Sequence, residues 1–103
     1  MWAQMITWSL KPGKEQDLPK LFEQMRVTEQ PGSGLVRSLF MRDQKDPSRV
    51  YTLVLFESEE KARARESDER RQEALTAARA MMAEIFDGPP QFVDLAVVDE
   101  FAP

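Results

Sequence analysis

The segment Met1–Leu10 sets Trp2, Ile6, Trp8 and Leu10 on one side at period two, with Gln4 the only polar member of that row, and stops at Pro12-Gly13. Such alternation, ended by a turn pair, predicts a first strand with one face in a core. From about Lys14 the period changes: Leu18, Leu21, Phe22 and Met25 recur at helical spacing, with Lys20, Glu23, Gln24 and Arg26 on the opposite side. This is an amphipathic helix. Pro19 is tolerated only in a first turn, so regular hydrogen bonding is expected to start near Glu15 to Leu18 and to end before Pro31-Gly32.

Leu35–Met41 and Val50–Phe56 are two strand-like runs separated by the polar stretch Arg42-Asp43-Gln44-Lys45-Asp46-Pro47-Ser48-Arg49, which predicts an antiparallel hairpin. With Met41 opposite Val50, Leu35, Arg37, Leu39 and Met41 share a face with Thr52, Val54 and Phe56. Val36, Ser38 and Phe40 then share the other with Tyr51, Leu53 and Leu55.

At VYTLVLFESEEKARARESDERR the apolar run meets a charged one. Ser58 is a good N-cap, Glu59 and Glu60 suit the positive end of a helix, and Glu57/Lys61, Glu59/Arg63 and Glu66/Arg70 are spaced as ion pairs. The seam reads as a strand handing over to a helix whose charges face solvent. Ser67-Asp68 recaps a second helical segment with the stripe Leu75, Ala78, Met82, Ile85 and Phe86. Gly88-Pro89-Pro90 ends it, and Gln91–Val98 forms the last strand. The predicted order is βαββαβ, a ferredoxin-like α+β fold with one antiparallel sheet and two helices on one face, filling residues 1–103 as a single domain.

Two helices cover only one face of a four-stranded sheet, and the face assigned Val36, Phe40, Tyr51, Leu53 and Leu55 is too apolar for water. A second copy packing sheet to sheet is the economical cover, so a homodimer is expected, with Val98-Asp99-Glu100-Phe101-Ala102-Pro103 reaching across to it.

Composition prunes the chemistry. The 103 residues carry 14 basic and 18 acidic side chains, net charge −4, interleaved and without a basic stripe, so nucleic acid is not expected as a partner. No apolar run is long enough to cross a bilayer and no basic residue precedes the first apolar segment, which implies no membrane association and a cytoplasmic location. There is no cysteine, histidine or asparagine. Thiolate chemistry, imidazole bases and the usual zinc or haem ligands are therefore absent. No cofactor and no metal are expected, since neither a calcium loop nor a phosphate-binding glycine loop occurs.

Four stretches, LKPGKEQDLPKLFEQM, PGSGLVRSLFMRD, RVYTLVLFESEEKARA and GPPQFVDLAVVDEF, together resemble the antibiotic biosynthesis monooxygenase-like domains of the dimeric α/β-barrel superfamily. The resemblance spans nearly the whole chain and implies a pocket between sheet and helices. It also implies cofactor-independent oxygenation of a small electron-rich aromatic. The alternative on the same fold is a non-catalytic dimer that binds a small aromatic or apolar ligand or serves a structural role. Where haem-degrading members resemble one another in an asparagine on the first strand and a tryptophan ending the third, this chain has Ile6 and Phe56.

The candidates for that pocket are Gln4, Ile6, Trp8, Arg37, Thr52, Phe56 and Asp94. Arg37, amid Leu35, Leu39 and Met41, either turns outward, pairs with an acid such as Asp94, or lines the cavity and stabilises a phenolate or carboxylate. Arg37 and Trp8 are the candidates for the reaction itself. Trp8 offers an aromatic wall or plain packing, and Asp94 is an arginine partner, a base or an edge residue.

Overall fold

The computed structural model describes residues 1–103. It contains β1 (Trp2–Ser9), a 3-10 turn at Glu15–Asp17, α1 (Leu18–Thr28), β2 (Leu35–Arg42), β3 (Arg49–Phe56), α2 (Glu59–Glu66), α3 (Glu69–Ile85) and β4 (Gln91–Ala96). The strands form one antiparallel sheet in the order β2-β3-β1-β4. This is the expected ferredoxin-like arrangement, with the second helical segment in two pieces. No helix is long and apolar enough to cross a membrane.

Local chemistry explains the boundaries. Pro19 sits in the first turn of α1, where its missing N–H costs no hydrogen bond. The Ser58 hydroxyl accepts from the Lys61 N–H at 3.2 Å and starts α2. Asp68 accepts from the Arg70 N–H at 2.9 Å and starts α3, so the chain breaks and recaps at Ser67-Asp68. Gly34 has φ +81°, and a Cβ there would lie 2.7 Å from the Lys61 Cβ, so the approach of β2 to α2 needs glycine.

The hairpin departs from the expected register in one residue. Pairing begins as predicted, with Leu35 opposite Phe56, but a β-bulge follows, and beyond it Arg37 lies opposite Leu55, Ser38 opposite Val54, Phe40 opposite Thr52 and Met41 opposite Tyr51. Val36 is the extra residue. Because side chains alternate, Ser38 and Phe40 now face the helices while Arg37, Leu39 and Met41 face away. The expectation failed because both sides of β2 are apolar, so hydrophobicity alone did not fix where the ladder slips.

Most of the buried residues form two groups. One joins Leu10, Leu18, Leu21, Val50, Leu75, Ala78, Ile85 and Phe86; the other joins Trp2, Val54, Phe56 and Ala62. On the other side of the sheet, Leu39, Met41, Val93 and Leu95 are exposed to between 38% and 52%, too much apolar surface for a strand face that meets only water.

Candidate functional site: a cavity between sheet and helices

The two buried groups do not merge, because a cavity of about 590 Å³ lies between the sheet and the helices. Its floor is built by inward positions at period two: Trp2, Gln4, Ile6 and Trp8 of β1, Val50, Thr52, Val54 and Phe56 of β3, Ser38 and Phe40 of β2, and Phe92 of β4. Phe22 and Met25 of α1 and Leu75 and Met82 of α3 close it from above. Aromatic contacts set its walls. Phe22 stacks on Phe40 with ring centroids 4.2 Å apart, and Trp8 stacks on Phe86 at 4.5 Å.

One end is polar and lies where α1, α2 and α3 converge. Arg65 donates three hydrogen bonds to Glu29, the shortest 2.7 Å, in a pair whose side chains are 14% and 23% exposed. The Arg65 guanidinium also lies 5.2 Å from the Phe56 ring centroid. Burial alone would push the Glu29 carboxyl up, but the hydrogen bonds from Arg65 and the charges of Arg65 and Arg71 hold it below its ordinary value. Arg71 is held down to about 10 by burial and by the Arg65 charge beside it, and its buried Nε has no hydrogen-bond partner. Arg79 donates to the Gln72 side-chain oxygen at 2.7 Å.

Of the residues expected in the pocket, Gln4, Ile6, Trp8, Thr52 and Phe56 line the cavity together. Asp94 sits at its edge, opposite Gln4, and accepts from Gln4 Nε2 and from Arg63 Nη2, each at 3.0 Å. Those two hydrogen bonds keep its carboxyl below its usual value, so Asp94 is an arginine partner at a strand edge. Its arginine is Arg63, not Arg37. Arg37 is exposed on the opposite side of the sheet, carried there by the bulge at Val36.

Glu29, Arg65, Arg71 and Arg79 were not among the expected residues; Arg65 and Arg71 were passed over because the charged run from Glu57 to Glu73 reads as a solvated helix surface. A signal was present: extending the inward stripe Leu75, Ala78, Met82 back by four residues reaches Arg71, and Arg65 follows the buried Ala62 by three.

No cluster of three acidic, histidine or cysteine side chains is placed to hold a metal ion. The cavity lining offers no imidazole, thiolate or phenol, and Tyr51 faces the other way, opposite Thr7 and Met41. These residues do not suit an axially ligated haem.

Fold and site together define a ferredoxin-like sheet protein with an aromatic-lined cavity under its helices. The antibiotic biosynthesis monooxygenase family model matches residues 1–83, and the chain belongs to that family. No curated protein matches it by sequence. Among solved structures it is similar to a variant of MhuD with two manganese protoporphyrin IX molecules bound per active site, at 17% identity and TM-score 0.81 over 100% of both chains. A variant of SnoaB, a cofactor-independent oxygenase from Streptomyces nogalater, is similar at 12% identity and TM-score 0.73, over 99% of this chain and 97% of that one. A Caulobacter crescentus protein assigned to the antibiotic biosynthesis monooxygenases gives 18% identity and TM-score 0.76, over 95% and 90%. Identities this low establish a common backbone and leave activity to the site.

Proposed function

We propose that this protein is a cofactor-independent monooxygenase acting on a small electron-rich aromatic, working as a homodimer in the cytoplasm. The observation that carries the reading is the cavity of about 590 Å³ walled by Trp2, Trp8, Phe22, Phe40 and Phe56, room and surface for a planar ring. A hydroxyaromatic substrate would lose its hydroxyl proton to give a delocalised anion, which passes an electron to O2. The radical pair then joins as a hydroperoxide at a ring carbon that bears a hydrogen, and loss of water leaves a second carbonyl. The substrate gives up the hydroxyl hydrogen and that carbon's hydrogen, one oxygen atom of O2 stays as the new carbonyl, and the other departs with the two hydrogens as water. The chain's part is to exclude water, to hold the ring against Trp8, and to favour the anion through the arginines at the polar end. Gln4, Ser38 and Thr52 are the neutral polar groups on the floor available to orient a ring oxygen.

The dimer is supported by the open side of the sheet, where Tyr51, Leu53 and Leu55 join Leu39, Met41, Val93 and Leu95. It is supported too by Val98 and Phe101 beyond β4, exposed to 94% and 92%. Arg37 then belongs to the dimer surface. A monomer mass by light scattering at micromolar concentration would reject this arrangement.

A non-catalytic binding protein is the second reading, favoured by one observation: the carboxyls of Glu29 and Asp94 are both held below their ordinary values, Glu29 by Arg65 against its burial and Asp94 by Gln4 and Arg63, so neither is a strong proton acceptor. Oxygen uptake by metal-stripped protein with anthrones, naphthols and dihydroxybenzenes separates the two. Quinone formation that falls in a folded Trp8→Ala variant supports the oxygenase; ligand binding without uptake supports the binding protein.

A further inference from the structure

Arg71 is the one side chain with a buried polar nitrogen left without a hydrogen bond, and it lines the cavity. Nearby acids do not answer it. Glu29 is committed to Arg65 through three hydrogen bonds, and Glu66 lies against Arg63 at 3.3 Å. Arg79, two turns further along α3, reaches only the neutral Gln72. Neither Arg71 nor Arg79 takes part in an ion pair. In a chain of net charge −4, two guanidinium groups without a carboxylate therefore stand at the polar end of an otherwise aromatic cavity. A buried donor without an acceptor is costly and rare in folded proteins, and a guanidinium fork matches a carboxylate.

We propose that the cavity recognises an aromatic carboxylate, with Arg71 binding the carboxylate group and Arg79 supplying the second positive charge. The proposal rests on the aromatic-ligand reading above and names the class of that ligand, a hydroxyaromatic acid whose ring lies on the floor beneath Phe22. Arg71 remains protonated at neutral pH, since burial and its arginine neighbours bring it down only to about 10. The carboxylates of Glu29 and Glu66 in the same lining offset part of the positive charge of the arginines and so favour a monoanion over a phosphate dianion.

Titration calorimetry at pH 7 with 1-hydroxy-2-naphthoate and its uncharged counterpart 1-naphthol tests this. The wild-type protein should bind the naphthoate roughly tenfold or more tightly than the naphthol, the scale of a charge-assisted hydrogen bond. Arg71→Gln should erase that preference, and Arg71→Lys should restore part of it. Arg71 makes no hydrogen bond through Nε that the fold would miss, and circular dichroism verifies each variant. Equal binding of both probes by the wild type, or a preference that survives Arg71→Gln, overturns the carboxylate site while leaving the aromatic cavity standing. Failure of both probes to bind overturns the site and the aromatic-ligand reading together.

Discussion

Phe22 of α1 and Phe40 of β2 lie face to face, ring centroids 4.2 Å apart and planes 18° from parallel. This stack is the contact that ties the bulged strand to the first helix, and it closes the cavity on that side. Phe40→Ala should cost about 2 kcal/mol, below the range for a fully buried phenylalanine because Phe40 is only half-buried. Urea unfolding would measure the loss, and binding of apolar probes should weaken as the wall opens.

Arg37 provides the opposite case. It faces away from the cavity, so Arg37→Ala should leave the affinity for any cavity ligand within about twofold, the scale of a surface substitution. A larger loss in calorimetry, with the dimer intact, would contradict the register of β2.

At Gly34 the backbone has φ +81° and the Lys61 side chain leaves no room for a Cβ. Gly34→Ala should therefore lower stability by about 2 kcal/mol, from left-handed strain plus displacement of Lys61. Thermal melts would show it. The same substitution at Gly13, where nothing lies within 4 Å of an added methyl, should carry only the conformational part.

Acid should weaken the protein through identifiable groups. Burial opposes ionisation of Glu29, but Arg65 outweighs it and the folded carboxyl titrates below its ordinary value of 4.5; Asp68, held by Arg70, titrates at about 2 instead of 3.8. A carboxyl depressed by folding contributes stability that is complete above its unfolded value and is lost as pH falls through the folded one. Urea midpoints should thus be flat near neutrality and decline below about pH 4.5, and Glu29→Gln should flatten the upper part of that decline. A midpoint that rose on acidification would contradict both pairings.

Most of the fold was legible in the chain because its punctuation is local. Pro19, Ser58, Asp68 and the Gly88-Pro89-Pro90 stop act through a single turn, and they bound their elements where expected. Strand β1 was legible for the same reason, since its inward row from Trp2 to Trp8 is apolar at every position but Gln4, and with it came Gln4, Ile6 and Trp8 of the cavity. What was not legible depends on events between elements. The bulge at Val36 is a property of two strands together, and β2 carries apolar residues on both sides, so no polar row betrayed the slip. The inward turn of Arg65 and Arg71 was masked by their neighbours, since one-dimensional reading averages a charged run although only one side of each helix faces water.

The bulge has a consequence for comparing this chain with its relatives. On β2 the residues before and after Val36 point by opposite rules of parity, so Leu35 and Ser38, three apart, share an inward side. Against a relative without the bulge, an alignment that runs through this strand without a gap would set the inward residues of one protein against the outward residues of the other. Site assignments transferred along it would exchange the cavity and the opposite surface, and Arg37 would be credited with chemistry that belongs to its neighbours. On this strand, homologous position and homologous role coincide only when the extra residue has been located first.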